Sequence, residues 1–206
     1  MDTSSAKPAR LRVGLIGAGR AGSVVTAALA RAGHQVVAVS AVSEQSKERA
    51  AALIPQALVS DPLNVCEQSE LVVLAVPDDA LPELVSGLVT AGVITPGQIV
   101  VHLSGRYGSD VLSPAQDAGA LCVALHPAMT LTGAAYEVDR LDGCPFGISA
   151  LDESRPVAEA LVLEMGGEPQ WISPQSRILY HAALTHASNH LVTLIAQSQD
   201  MLAAAG

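Results

Sequence analysis

Leu11-Arg12-Val13-Gly14-Leu15-Ile16 runs directly into Gly17-Ala18-Gly19-Arg20-Ala21-Gly22 and on into Ser23-Val24-Val25-Thr26-Ala27-Ala28-Leu29-Ala30. The first stretch reads as a buried strand, the last as a helix, and the six residues between them as a turn with GxGxxG spacing. Three glycines alone are a weak signal. Between a first strand and a first helix they predict a βα unit that cradles a dinucleotide. Each glycine answers a different need: Gly17 permits the tight turn, Gly19 lets a pyrophosphate approach the backbone, and Gly22 lets helix pack closely on strand. With Ala18, Arg20 and Ala21 they offer the free N–H groups and positive dipole of a helix start to an anion. A glycine-rich βα turn that binds nothing is the competing reading.

Outward from this unit, short aliphatic runs alternate with stretches of helical period, which predicts an α/β fold on a doubly wound, mostly parallel sheet. Strands are expected at 11–16, 35–40, 56–60, 70–76, 98–103, 121–125, 145–149 and 168–172, and helices at 20–32, 44–53, 79–91, 108–118 and 153–165. Runs such as Leu71-Val72-Val73-Leu74-Ala75-Val76 are apolar on both faces, as strands covered on both sides must be. After Trp171, Ser173-Pro174 predicts a helix start with a capping hydroxyl and a proline in the first turn. A helix from Pro174 to about Ala205 would be roughly 48 Å long at about 1.5 Å per residue. Leu184, Leu191, Leu194, Ile195 and Leu202 give it apolar surface that no later element covers. The expected division is a tail at 1–10, a dinucleotide-binding domain at 11–172, and at 173–206 the first long helix of an all-α dimerisation domain that continues beyond Gly206.

Composition narrows the function. Half of the 206 residues are hydrophobic and 15% charged, which excludes a disordered chain. Eleven basic and twenty acidic residues leave a formal charge of −9, and aromatics are 2%, so phosphate backbones and anionic membranes are repelled and stacking platforms are missing. No nucleic-acid or membrane partner is expected; a small-molecule substrate is. Cys66, Cys122 and Cys144 stand far apart and form no CxxC pair, so they read as buried small hydrophobes in a cytoplasmic protein.

An acidic residue at the end of the second strand would bond an adenosine ribose. Here the chain reads Ser40-Ala41-Val42-Ser43-Glu44-Gln45-Ser46-Lys47. Hydroxyls of Ser40 and Ser43, with charge from Lys47 or Arg20, suit a 2′-phosphate, so NADP is expected over NAD, although Glu44 could still reach a ribose. Val76-Pro77-Asp78-Asp79 and Leu103-Ser104-Gly105 follow the fourth and fifth strands, at the edge where open α/β sheets bind ligands. Val76, Pro77 and Ser104 are expected to line the cofactor, and one of Asp78 and Asp79 to cap the helix that follows.

GAGRAG (17–22), LAVPDDAL (74–81), VHLSGRYGSDVL (101–112), ALHPAMTLTG (124–133) and YHAALTHASNHLVTL (180–194) together resemble a bacterial family of Rossmann-like oxidoreductases with a C-terminal domain of unknown function. That family is similar in layout to pyrroline-5-carboxylate reductase and to deazaflavin-dependent NADP reductases. The resemblance covers about residues 11–206. It implies an NADP-binding N-terminal domain, a helical C-terminal domain that dimerises, and a redox activity on an unassigned substrate, with ketopantoate reduction one candidate. His126-Pro127 stands where pyrroline-5-carboxylate reductases carry a substrate-facing loop, and a histidine there could donate a proton while hydride arrives on the other atom of a C=O or C=N bond.

On the last helix, His181, Thr185 and Asn189 are spaced by four and share one stripe. The β-hydroxyacid and ketopantoate dehydrogenases place a lysine and an asparagine one turn apart on a comparable helix. Asn189 fits that pattern, but Thr185 stands in the lysine's place. His126 and His181 are therefore the candidate proton donors, with Ser104 and Asn189 holding substrate. His186 and His190 have the spacing of two zinc ligands but lack a third, so no metal is expected. The expected activity is NADP-dependent reduction of a small carbonyl or imine by a homodimer joined through the last helix. The rivals are a non-catalytic NADP sensor or scaffold and a purely structural dimerisation module.

Overall fold

Alternating apolar runs become the central sheet of a computed structural model that describes residues 10–206. Its strands are β1 (Arg12–Ile16), β2 (Gln35–Ser40), β3 (Leu58–Val59), β4 (Leu71–Leu74), β5 (Ile99–His102), β6 (Leu121–Pro127), β7 (Pro145–Ala150) and β8 (Glu168–Trp171), in the order 3-2-1-4-5-6-7-8. β1 through β6 pair in parallel, β7 runs against β6, and β8 lies parallel to β7. The change of direction from β1–β2–β3 to β1–β4–β5 creates a crevice at the strand ends beside β1, the ligand-binding position of such sheets.

Helices cover both faces. α1 (Arg20–Arg31), α2 (Glu44–Leu53) and α6 (Arg155–Glu164) belong to one apolar layer, which includes Val24, Ala28, Ala50, Leu161 and Phe146. α3 (Pro62–Glu67), α4 (Leu81–Thr90) and α5 (Ser113–Asp117) belong to the other, with Val65, Val85, Leu88 and Ala115. Cys66, Cys122 and Cys144 are buried and unpaired. Two-sided burial explains why β4 is aliphatic throughout and β5 is so up to the buried His102.

Several local expectations are corrected. The segment 108–118 is a 3₁₀ turn (Ser109–Leu112) leading into the short α5, and 78–80 is likewise 3₁₀ before α4. Neither Asp78 nor Asp79 caps α4, since Pro77 and Ala80 hold the cap positions without side-chain bonds. Ser173 does not cap a helix amide; its hydroxyl donates to Ser176 Oγ at 2.8 Å, and α7 (Arg177–Ala205) follows a 3₁₀ turn over Pro174–Ser176. α3 was not expected, although Asp61 accepts from Leu63 N and Asn64 N with Pro62 in the first turn, a start signal legible in sequence. Residues 1–9 of the expected tail lie outside the described residues, and Arg10 is pinned to Glu164 at 3.0 Å.

Candidate active site

The glycine turn is built for two different purposes. Gly17 takes φ +94° and donates its N–H to Ser40 O at 3.0 Å, and a β-carbon on it would stand 2.6 Å from Ala75 O. A β-carbon on Gly22 would meet Ala75 Cβ at 2.6 Å. Both are glycines because β4's exit presses on the turn. Gly19 differs: its β-carbon would find nothing nearer than 3.7 Å. It caps α1 without a side-chain bond, so the first-turn N–H groups face open space. An anion fits that cradle.

The cleft beyond it, about 380 Å³, is bounded by Gly19-Arg20-Ala21, by Ala75-Val76-Pro77, and at its far end by Leu103, His126 and Met129. A second cavity of about 190 Å³ lies between His126, Met129 and Thr130 on one side and His181, Leu184, Thr185 and Ser188 of α7 on the other. His126 and Met129 line both. His126 and His181 come together there, with ring centroids 5.9 Å apart and edge to face.

Both rings are partly buried. His126 is held at a pKa of about 4, first by burial and then by the charges of His181, Arg177 and His102. Its Nδ1 meets the Tyr180 hydroxyl at 3.0 Å. His181 Nδ1 is buried with no hydrogen-bond partner, and an unsatisfied buried nitrogen calls for a ligand. Between the two histidines lies Gly105, whose β-carbon would stand 2.5 Å from His181 Nδ1 and 2.8 Å from His126 Nε2.

Other expected residues sit elsewhere. Ser104 lines neither cavity; its Oγ accepts from Arg106 N and Tyr107 N at 3.2 Å and holds the turn after β5. Its N–H donates to Nδ1 of fully buried His102, whose Nε2 bonds Gly108 O at 2.9 Å. Asn189 is exposed and outside the lining, with its backbone carbonyl accepting from Thr193 Oγ1; Thr185 and Ser188 are the hydroxyl residues that α7 brings to the cavity. His190 Nδ1 donates to His186 O at 2.9 Å on the exposed face of α7.

At the adenosine end, Ser40 is buried, Ser43 Oγ accepts from Ser46 N to cap α2, and Lys47 is bound to Glu44 at 2.7 Å. The cation at the glycine turn is one the sequence reading missed: Arg49 Nη1 donates to Ala18 O at 2.9 Å. Neither Arg49 nor Arg20 joins an ion pair among the described residues. Helical spacing carries the signal, since Arg49 follows Ser46 by three residues and nothing local marks it out. Glu137 was missed as well. Its buried carboxylate accepts from Thr132 N, Gly133 N, Ala134 N and Thr132 Oγ1, and so shapes the loop that supplies Met129, Thr130 and Leu131 to the cavities.

Sheet order, glycine turn and crevice define a doubly wound α/β protein with a dinucleotide-type cradle. The chain belongs to the Rossmann-like domain family, whose model matches residues 1–127. A domain of unknown function, DUF2520, matches residues 144–206. Comparison with curated protein sequences finds no match. Among solved structures, an NADP oxidoreductase candidate from Bacteroides fragilis is similar at TM-score 0.77 and 21% identity, over 94% of this chain and 72% of that one. Prephenate dehydrogenase from Aquifex aeolicus, solved with hydroxyphenyl propionate and NAD+, gives TM-score 0.68 and 17% identity, over 84% and 63%. Pyrroline-5-carboxylate reductase from Coxiella burnetii gives 0.67 and 17%, over 95% and 71%.

Proposed function

We propose that the protein is an NADP-dependent oxidoreductase that reduces a small carbonyl or imine. The observation that carries this reading is His126, which lines both the cleft beyond the glycine cradle and the small cavity under α7. A reduced nicotinamide bound in the cleft supplies the hydride. The chain's own groups bind and polarise the acceptor: His126 Nε2 and His181 converge over Gly105, where they can hold the oxygen or nitrogen of a double bond, and Thr185 and Ser188 face the rest of the molecule. Leu184 and Met129 exclude water.

NADP is favoured over NAD because the adenosine end offers Arg20, Arg49 and the serine-rich β2 exit, with no carboxylate at the position where a ribose-binding acid stands. A second copy is proposed to cover α7, on which Leu191, Leu194, Ile195 and Leu202 are exposed. The deciding experiment is NADPH oxidation with keto acids, imines and a deazaflavin, combined with melting shifts in NADPH and NADH. A melting rise with NADPH and no turnover on any acceptor would favour the sensor; no rise at all would remove the nucleotide from the reading.

A further inference from the structure

Arg177, the first residue of α7, is only 1% exposed. Its Nε donates to Ser149 Oγ at 2.8 Å and its Nη2 to Gly147 O at 3.0 Å and Ala124 O at 3.2 Å, while Nη1 has no partner. No carboxylate pairs with it among the described residues. A buried cation without a counter-ion is costly to keep. The ionisable groups that favour its charge are Tyr180 and, to a smaller degree, Asp110. Tyr180 lies on the same helix, with its ring centroid 5.8 Å from the guanidinium carbon.

We infer that Tyr180 is a positioning residue for His126: its hydroxyl donates to Nδ1 and fixes the imidazole as the Nε2–H tautomer, and the buried Arg177 stabilises the phenolate when that hydroxyl proton moves. The direction of the bond follows from what surrounds the phenol oxygen. The Arg177 guanidinium, its carbon 5.8 Å from the phenol ring centroid, draws on the lone pairs of that oxygen, so its proton is the group left for Nδ1. Burial pushes the phenol above its ordinary pKa and Arg177 opposes this, so the hydroxyl is intact at neutral pH and able to donate. Nε2 then carries the imidazole's proton, on the side that faces Gly105 and His181 Nδ1.

The inference rests on the reductive reading of this site and adds the source of the proton. When an acceptor oxygen or nitrogen takes the Nε2 proton, the Nε2–H bond breaks and Nδ1 takes the proton of Tyr180. The imidazole ends neutral as Nδ1–H, the phenol ends as phenolate beside the Arg177 guanidinium, and water restores the proton afterwards. Such a relay lets a histidine that stays neutral at physiological pH still deliver a proton.

The test uses the full chain labelled with ¹⁵N-histidine at pH 8 and long-range ¹H–¹⁵N correlation of the imidazoles, with no coenzyme present. His126 is expected as Nε2–H in the wild type. In Tyr180→Phe it is expected to shift toward a tautomer mixture, while His102, held by Ser104 and Gly108, stays fixed. A wild-type His126 found as Nδ1–H, or a tautomer unmoved in Tyr180→Phe, would overturn the inference. Arg177→Gln, which keeps donors but removes the charge, is expected to raise the pH at which Tyr180 forms tyrosinate, followed by absorbance; Arg177→Met serves if that chain does not fold. An unchanged titration would overturn the part given to Arg177. Failure to bind NADPH would instead overturn the oxidoreductase reading and leave the tautomer result standing.

Discussion

Gly105 lies beneath His181 with no space between them for a methyl group, since a β-carbon there would stand 2.5 Å from the Nδ1 of that histidine. The same carbon would crowd His126 Nε2 at 2.8 Å. Gly105→Ala is therefore expected to push the two imidazoles apart and to cost about 1–3 kcal/mol by overpacking. Reduction of any acceptor found should fall at least tenfold while the NADPH Kd stays within about twofold, since kcat alone registers a misplaced proton donor. Equal losses in both would place Gly105 in the coenzyme site.

At the glycine turn the effects of substitution should separate. Gly17→Ala puts a β-carbon 2.6 Å from Ala75 O at φ +94°, so it should lower the melting temperature by the equivalent of about 1–3 kcal/mol. Gly19→Val meets open space in the free protein and should leave melting nearly unchanged, yet abolish the NADPH-induced rise by filling the cradle. Thermal shift with and without coenzyme reads both.

Much of this arrangement was legible in the chain itself. The inner strands β1, β2, β4, β5 and β6 were marked by aliphatic runs, because a strand covered on both faces must be apolar, and the glycine turn was marked because each glycine has a steric reason. The polar stripe on α7 was legible too, and the structure brings its His181 ring to 5.9 Å from that of His126. What escaped were residues whose role depends on packing between distant segments. Tyr180 and Arg177 act on β6 and β7, Arg49 reaches back to Ala18, and Glu137 holds a loop by accepting backbone N–H groups, and none of these leaves a local pattern. Asn189 stands off the lining for an elementary reason: two turns beyond His181, α7 has carried it to the exposed side of the cavity's rim.

Acid should unfold the protein in a definite window. His102 and His126 are both held near a pKa of about 4, below the ordinary 6.5, with burial the leading cause. Between those values the unfolded chain binds protons that the native state refuses, so native stability is full above about pH 6.5 and falls as pH drops toward 4. Hydrogen bonds from Thr132, Gly133 and Ala134 outweigh burial and hold Glu137 below its ordinary range, so its contribution is lost only at lower pH. Urea unfolding at pH 7.5, 6 and 5 should show an uptake of up to about two protons, reduced by about one in His102→Gln.

Glu137→Ala removes the shared acceptor of three part-buried backbone N–H bonds at once. At about 1–3 kcal/mol for a lost bond to a charged group, partly recovered by relaxation, the expected loss is about 3 kcal/mol. Hydrogen exchange of Thr132, Gly133 and Ala134 should rise well beyond that of β6. Glu137→Gln, which can accept only part of the set, should fall between.

Coenzyme choice should follow Arg49 more than Lys47, because Lys47 is already occupied by Glu44 while Arg49 stands at the turn. Arg49→Ala is expected to weaken NADPH binding about tenfold and NADH binding by less, and Lys47→Ala to change either by about twofold at most. Calorimetric titration with both coenzymes decides it. A larger effect from Lys47→Ala would return the 2′-phosphate to the exposed start of α2.

Consider finally the one antiparallel step in the sheet. Because β7 and β8 descend while β6 ascends, the chain leaves β8 travelling away from the rim that bears the glycine turn, and α7 has to double back. Its opening turns climb along the strands, with Arg177 anchored to Ala124 and Gly147 and Tyr180 one turn higher at His126. This switchback places a histidine of α7 opposite one of β6, so the meeting of His126 and His181 hangs on the β6–β7 connection, the same segment that lends Met129 and Leu131 to the cleft beyond the glycine turn.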